Sequence, residues 1–249
     1  MPVVIREISP FFLLLLGATA GGAVLAAVGT GAVLVAGIVL VVLGGWAISL
    51  CLHEFAHAFV AYRGGDATVR ARGYLTLDIR RYTNAALTFV LPVLFLLLGG
   101  IPLPGGAVLV NHGAIRSRAV RSLVSFAGPA VNLVLGLALV FTVAAAPMAV
   151  GLAAALSCLA LIQVLAFVLN ILPVPGLDGF GVLEPFLSPR ARLLSAKVAP
   201  WAPLVLLVVL LGLPGASAVL FGVGDVLFGL IGGNARLANA GYAQLLFWR

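Results

Sequence analysis

Residues 31–62 read GAVLVAGIVLVVLGGWAISLCLHEFAHAFVAY, and this stretch decides the fold of the chain. It contains no lysine, arginine or aspartate, and its one acid is Glu54. A helix that crosses a bilayer needs about 20 consecutive apolar residues, so the stretch predicts a long membrane-spanning helix. Its ionisable groups, His53, Glu54 and His57, all lie near its C-terminal end. Such groups are costly inside a membrane, so they indicate a functional site.

The composition of the whole chain also indicates a membrane protein. Of 249 residues, 63% are hydrophobic and 8% are charged, whereas a soluble domain is typically about 25% charged. The net charge of +7 does not indicate nucleic-acid binding, because the basic residues lie in short loops between apolar segments. We therefore predict an all-α polytopic membrane protein with the lipid bilayer as a partner.

Seven apolar segments organise the sequence, with no internal repeat between them. We expect six of them to be transmembrane helices, the first retained rather than cleaved as a signal peptide, and the last two short enough to form a tight hairpin around Pro214. The segment at 84–110 is broken by Pro92 and by GGIPLPGG at 99–106, which predicts a re-entrant segment. The six expected spans are 11–28, 31–62, 119–146, 149–172, 199–213 and 216–232.

The positions of the positive charges support this topology. If 84–110 returns to its own side, all 14 Lys and Arg residues fall on one face of the membrane. The turns near Thr30, Pro147 and Pro214 on the opposite face then carry none. Because basic loops stay in the cytoplasm, we expect the basic loops and the active-site end to be cytoplasmic.

The pattern His53-Glu54-Phe55-Ala56-His57 is an HExxH motif in a chain with three histidines. Residues four apart lie on one face of a helix, so His53 and His57 can bind one Zn²⁺ while Glu54 acts as a base beside it. Catalytic zinc usually takes three protein ligands, so a third must come from elsewhere. The residue types alone leave several candidates, which are Asp178, His112, Glu184, Asp225 and Asp66.

Asp178 lies in NILPVPGLDG at 170–179, where two prolines and two glycines break the apolar segment. This arrangement presents a carboxylate near a membrane boundary, but Asp before Gly is also a common turn. The sequence leaves the two readings equally open. His112 follows Asn111 in a basic stretch and is more typical of a solvated loop histidine.

Three motifs together resemble the site-2 protease family of intramembrane zinc metalloproteases. They are HEFAH at 53–57, GPAVN at 128–132 and NILPVPGLDG at 170–179, in the order found in that family and over about half of the chain. Phe180 stands where a further glycine is frequent. No PDZ insertion and no C-terminal regulatory domain are recognisable, so the chain resembles a minimal form with one membrane-embedded domain at 1–249 and its core at about 31–180.

The resemblance implies a function and a set of roles. The chain would be a zinc endopeptidase of regulated intramembrane proteolysis, cutting peptide bonds in or near transmembrane segments of a membrane-protein substrate in the bacterial plasma membrane. It would hold one Zn²⁺ through His53, His57 and Asp178, with Glu54 as catalytic base. Asn132 and Asn170 would bind substrate or the oxyanion, although each could instead serve packing or capping.

Alternatives from other classes are a metal transporter and a non-catalytic zinc-binding scaffold. A transporter typically shows repeats and polar groups on several helices near the midplane, which this sequence lacks. A scaffold has no use for Glu54. Residues 66–78 alternate polar and apolar side chains, which indicates either short interfacial β-strands that could pair with an unwound substrate or an amphipathic hairpin.

Overall fold

The structure is a computed structural model that describes residues 8–82 and 108–248. These two stretches contain α-helices and short 3₁₀ turns and no β-strand. The helices, in chain order, are α1 (Pro10–Val28), α2 (Gly31–Gly64), α3 (Thr68–Ala71), α4 (Arg118–Ala145), α5 (Val150–Asn170), α6 (Asp178–Leu183), α7 (Pro189–Val198), α8 (Ala202–Gly212), α9 (Ala216–Leu230) and α10 (Ala235–Leu245).

Four of these helices, α1, α2, α4 and α5, are long and apolar enough to cross a membrane. Helices α8 and α9 are shorter and bend by 95° at the break between them, so the described residues contain up to five spans if this bent pair is one span. All six apolar segments expected to cross are therefore helical, but six separate spans are not confirmed. The expected re-entrant segment at 84–110 lies almost entirely outside the described residues.

Helix α5 lies at the centre of the bundle and contacts α2, α4, α9 and α10. In its most apolar 18-residue window 83% of the residues are buried, against 17% in α1. A glycine allows the close packing of α10 on α5: a Cβ added at Gly241 would clash with the backbone carbonyl of Ala154 and lie 2.7 Å from the Cβ of Cys158. Helices α2, α4 and α5 also pack against one another and form the core around the candidate site.

The prediction of β-strands around 66–78 is wrong for these residues. Thr68–Ala71 is a helical turn, and the chain then bends through Gly73, whose φ of +75° is left-handed. The Asp66 carboxylate accepts hydrogen bonds from the N–H and the hydroxyl of Thr68, at 2.9 and 2.6 Å. Such local bonds offer the backbone an alternative to strand pairing, and a left-handed glycine is a common end of a helix.

Asp66 also ties two parts of the chain together, because its Oδ2 accepts a 2.7 Å bond from the N–H of Asn111. Burial alone would raise the pKa of Asp66, but the bonds from Thr68 and Asn111 outweigh burial and hold that pKa below its ordinary value. The side chain is therefore ionised at neutral pH. It anchors the chain around Asn111 against the end of α2.

We expect Asp66→Ala to lower the stability of the detergent-solubilised protein by about 1–3 kcal/mol at pH 7, because the N–H groups of Thr68 and Asn111 lose their acceptor. Thermal unfolding would measure this, with the exposed acid Asp225 replaced by alanine as the control. Since a lowered pKa stabilises the fold above the unfolded pKa of about 3.9, the difference in Tm should shrink as the pH falls below that value. Equal Tm values at pH 7 would contradict the anchoring role.

Candidate metal centre

Helix α2 carries His53, Glu54 and His57 within its last twelve residues, and all three side chains are buried. The spacing of four residues places the two imidazoles on one face, as the HExxH pattern predicts. Their rings meet edge to face with centroids 4.7 Å apart. Both rings face inward toward α4 and the start of α6.

Asp178 lies at the first position of α6, directly after the turn that ends α5. Its carboxylate oxygens lie 3.1 Å from Nε2 of His53 and 3.4 Å from Nε2 of His57. The two Nε2 atoms are 3.1 Å apart. Among the described residues, these three side chains form the one group of His, Cys, Asp and Glu able to hold a metal ion.

The loop before α6 positions Asp178. It turns through hydrogen bonds from Val174 N–H to the Leu172 carbonyl and from Leu177 N–H to the Val174 carbonyl, at 2.8 and 2.9 Å. Gly176 in this loop has a left-handed φ of +93°. Helix α6 is also tied to α4, because the hydroxyl of Ser122 donates a 2.8 Å bond to the Val182 carbonyl.

Hydrogen bonds on the far side of each ring hold a proton on Nδ1, so that in the neutral imidazoles both Nε2 atoms are acceptors. His57 Nδ1–H donates to the carbonyl of Val124 at 2.6 Å, and a carbonyl can only accept. His53 Nδ1 lies 2.5 Å from Oδ1 of Asn132, whose Nδ2 donates to Gln163 Oε1 at 2.7 Å. Each imidazole then directs a lone pair at the other and at Asp178. With both imidazoles neutral, neither Nε2 has a hydrogen to donate across the contact between them.

These three groups fit one Zn²⁺. Two lone pairs and a carboxylate at 3.1–3.4 Å repel one another unless a cation lies among them. Tetrahedral ligands bonded to zinc at about 2.0–2.2 Å lie about 3.3–3.6 Å apart, close to these separations. Two histidines and one carboxylate are also a ligand set of catalytic zinc sites, which leave one position open.

Gly128 of α4 provides the space beside the ligands. A Cβ added at this position would clash with Nε2 of His57 and lie 2.5 Å from Nε2 of His53. A zinc ion needs the same space, because it bonds both nitrogens at about 2.0–2.1 Å. The absence of a side chain at Gly128 therefore gives the metal centre its room.

Glu54 is buried beside the two histidines, and its Oε2 accepts a 3.2 Å hydrogen bond from the N–H of Val108. It lies three residues before His57 and so projects from the same side of α2. The carboxylate is held from outside the helix by the segment that Asp66 anchors.

The other candidate ligands of the sequence do not join this cluster. His112 is exposed in a 3₁₀ turn, Asp66 binds Thr68 and Asn111, and Asp225 is exposed on α9. Glu184 begins a 3₁₀ turn after α6. Asn170 is buried at the end of α5, and its substrate-binding role, like that of Asn132, stays a prediction.

Sequence reasoning missed Gln163 and Ser49, which are buried on α5 and α2. Both are polar residues inside apolar segments, and that contrast is the signal that could have drawn attention to them. It also missed α10, which is far less apolar as a whole than the spanning helices, although it buries Ala238, Gly241 and Leu245.

Comparisons with known proteins find bacterial relatives over nearly the full chain. A Mycobacterium tuberculosis protein named "Putative zinc metalloprotease Rip2" is 47% identical over 245 residues, which are 96% of this chain and 94% of that protein. The protein of the same name from Mycolicibacterium smegmatis is 42% identical over the same shares. A Bacillus subtilis protein named "Putative zinc metalloprotease YwhC" is 32% identical over 65% of this chain and 75% of its own length. No family model and no solved structure matches the chain.

Proposed function

Because the chain belongs to the site-2 protease family, as its relatives do, we propose that it is an intramembrane zinc endopeptidase. It hydrolyses peptide bonds in or near the transmembrane segments of membrane proteins, as in regulated intramembrane proteolysis. Residues 1–249 act as one membrane-embedded domain with its core at about 31–180. Its partners are a transmembrane protein substrate and the lipid bilayer, and nucleic acid is not among them.

One observation carries this proposal: the group of His53, His57 and Asp178 lies beside a buried glutamate in a bundle of helices long enough to span a membrane. A purely structural zinc site has four protein ligands and no need of a further acid. Three ligands with an adjacent carboxylate are typical of hydrolytic zinc enzymes. The names of the relatives support the same chemistry.

In this proposal His53, His57 and Asp178 hold one Zn²⁺. Zinc supplies Lewis-acid chemistry in such sites and lowers the pKa of bound water to about 7. The hydrogen bonds from the two Nδ1 atoms to Val124 and Asn132 keep both rings in the orientation that binding requires.

Glu54 handles the proton. Its carboxylate takes a proton from the attacking water and passes it to the amide nitrogen of the leaving group, a role worth about 10²–10⁴-fold in rate. The Val108 N–H fixes Oε2 and leaves Oε1 for the proton. Burial of Glu54 keeps bulk water from this exchange.

The two asparagines have different surroundings. Asn132 contacts His53 and Gln163, which favours holding the histidine over binding the oxyanion. Asn170, at the C-terminal end of α5 close to the loop that carries Asp178, is the better placed of the two to bind the substrate backbone.

The proposed location is a bacterial plasma membrane, with the basic loops and the metal centre toward the cytoplasm. Four apolar helices and bacterial relatives support a bacterial membrane protein. The proposed orientation rests on the positive-inside rule, because all 14 basic residues fall on one face of the membrane if 84–110 is re-entrant and the other six apolar segments cross.

Removal of the metal tests the proposal. The purified protein in liposomes should cleave members of a panel of single-span test substrates, lose that activity after treatment with a zinc chelator, and regain it when Zn²⁺ is added back. Mass spectrometry of products would locate the cut within or next to the apolar span. Bound zinc without cleavage of any panel member would favour the scaffold, and zinc movement across the liposome membrane would favour the transporter.

A further inference from the structure

A continuous series of buried hydrogen bonds extends from the metal centre into the helix core. Asn132 of α4 links His53 to Gln163 of α5. Gln163 Nε2 then donates to Ser49 Oγ at 3.0 Å, and the Ser49 hydroxyl donates to the Trp46 carbonyl at 2.7 Å. Ser49, Asn132 and Gln163 are at most 4% exposed, so water does not compete with these bonds.

The direction of donation along this series of hydrogen bonds is fixed by its last member, the Trp46 carbonyl. The Trp46 carbonyl can only accept, so the Ser49 hydroxyl gives its hydrogen to it and accepts from the Gln163 amide. The carbonyl of Gln163 must then accept from Asn132 Nδ2, and Oδ1 of Asn132 is left to accept from His53. The proton of His53 is thereby held on Nδ1, and its Nε2 keeps a lone pair.

Both histidines hold a proton on Nδ1, but the acceptors of that proton differ. His57 donates directly to the Val124 backbone carbonyl, which cannot reverse its role. His53 faces a side-chain amide, which could present either its oxygen or its nitrogen if nothing else determined its orientation. Gln163 and Ser49 remove that freedom.

From this arrangement we infer that Gln163 and Ser49 are positioning residues of the metal centre, which act through Asn132 to hold His53 in the tautomer and orientation that bind zinc. The inference rests on the proposed role of His53 as a ligand. Outer-shell partners of ligating histidines typically change metal affinity by about 10–100-fold when they are lost. The series also links α2, α4 and α5 in a closed ring, since it starts and ends on α2.

The test is a zinc competition titration of the full-length protein in detergent against a chromophoric chelator. Gln163→Met, which keeps volume but has no amide, should weaken zinc binding about 10-fold. Ser49→Ala should weaken it less, and Ser49→Thr, which keeps the hydroxyl, should restore it. Ser157, also buried on α5 but outside the series, gives the matched control Ser157→Ala, which should bind zinc as the wild type does.

A double-mutant cycle separates positioning from a general packing role. In an Asn132→Ala background the His53 link is already lost, so Gln163→Met should cause no further loss of zinc affinity, whereas independent packing effects would add. Additive losses, or an unchanged zinc affinity in Gln163→Met, would overturn the inference and leave the proposed function standing. Failure of the wild type to bind zinc would overturn both.

Discussion

Glu54→Gln is expected to abolish peptide-bond cleavage while the protein retains its zinc. Glutamine has nearly the shape of glutamate, and its carbonyl oxygen can still accept the hydrogen bond from Val108 N–H that Oε2 accepts in the wild type. It cannot take a proton from water, so the rate should fall by about 10²–10⁴-fold or below detection. Cleavage of a single-span substrate in liposomes and zinc content by elemental analysis measure the two effects.

Glu184→Gln is the matched control for this change. Glu184 belongs to a 3₁₀ turn after α6 and is not part of the metal group, so its replacement should leave cleavage near the wild-type rate. A Glu54→Gln protein that cleaves as fast as the wild type would remove Glu54 from the mechanism. One that loses zinc would instead show that the carboxylate supports the metal.

Gly128→Ala is expected to weaken zinc binding by about 100-fold through the addition of one methyl group. That methyl would lie 2.5 Å from Nε2 of His53 and closer still to Nε2 of His57. Both rings are held through their Nδ1 atoms, by Asn132 for His53 and by the Val124 carbonyl for His57. The rings therefore cannot move away from the methyl group without losing those hydrogen bonds. Zinc affinity should fall by about 100-fold, at the upper end for changes outside the ligand set, and cleavage should disappear with it.

The control for Gly128→Ala is the same substitution two turns later on α4. A Cβ at Gly136 would lie 3.3 Å from a methyl of Val164, a contact that a small adjustment relieves. Gly136→Ala should therefore keep its zinc and most of its activity. Thermal unfolding of both variants would show whether the fold persists. A Gly128→Ala protein with wild-type zinc content would contradict the assigned geometry.

The sequence predicts the approach of His53 and His57 to each other well, because one helix carries both residues. His53 and His57 meet by the period of the α-helix alone, whatever the rest of the fold does. Asp178 lies 121 residues after His57, and no local rule brings it there. The residues around Asp178 are equally compatible with a metal ligand and with an ordinary turn. Only the resemblance to a family favours the ligand.

The prediction at residues 66–78 failed for a different reason. Alternation of polar and apolar residues favours a strand when partners are available for its backbone groups. In this chain the Asp66 carboxylate instead accepts hydrogen bonds from Thr68, and the chain turns at Gly73 a few residues later. Local side-chain hydrogen bonds therefore favour a turn over the strand that the alternation of polar and apolar residues predicts.

The links from Asn132 to Gln163 and from Gln163 to Ser49 join residues 31 and 114 positions apart. The sequence does not predict the hydrogen-bond partner of a single polar residue in an apolar helix, because that residue could face a neighbouring helix, a cavity or its own backbone. The three helices must first be placed against one another before these links can be recognised. The sequence could therefore predict the long apolar helices but not the contacts between them.

The unequal burial of the spanning helices has a consequence for how this protein diverges over time. A helix surrounded by lipid can exchange one apolar residue for another at little cost, because acyl chains adapt to any shape. In the most apolar 18 residues of α5, 83% are buried, so few substitutions are tolerated there. In α1 the share is 17%, so most positions can exchange one apolar residue for another. Substitutions should therefore accumulate along α1 and leave α5 nearly unchanged, so that the slowest-changing helix is one that carries no zinc ligand.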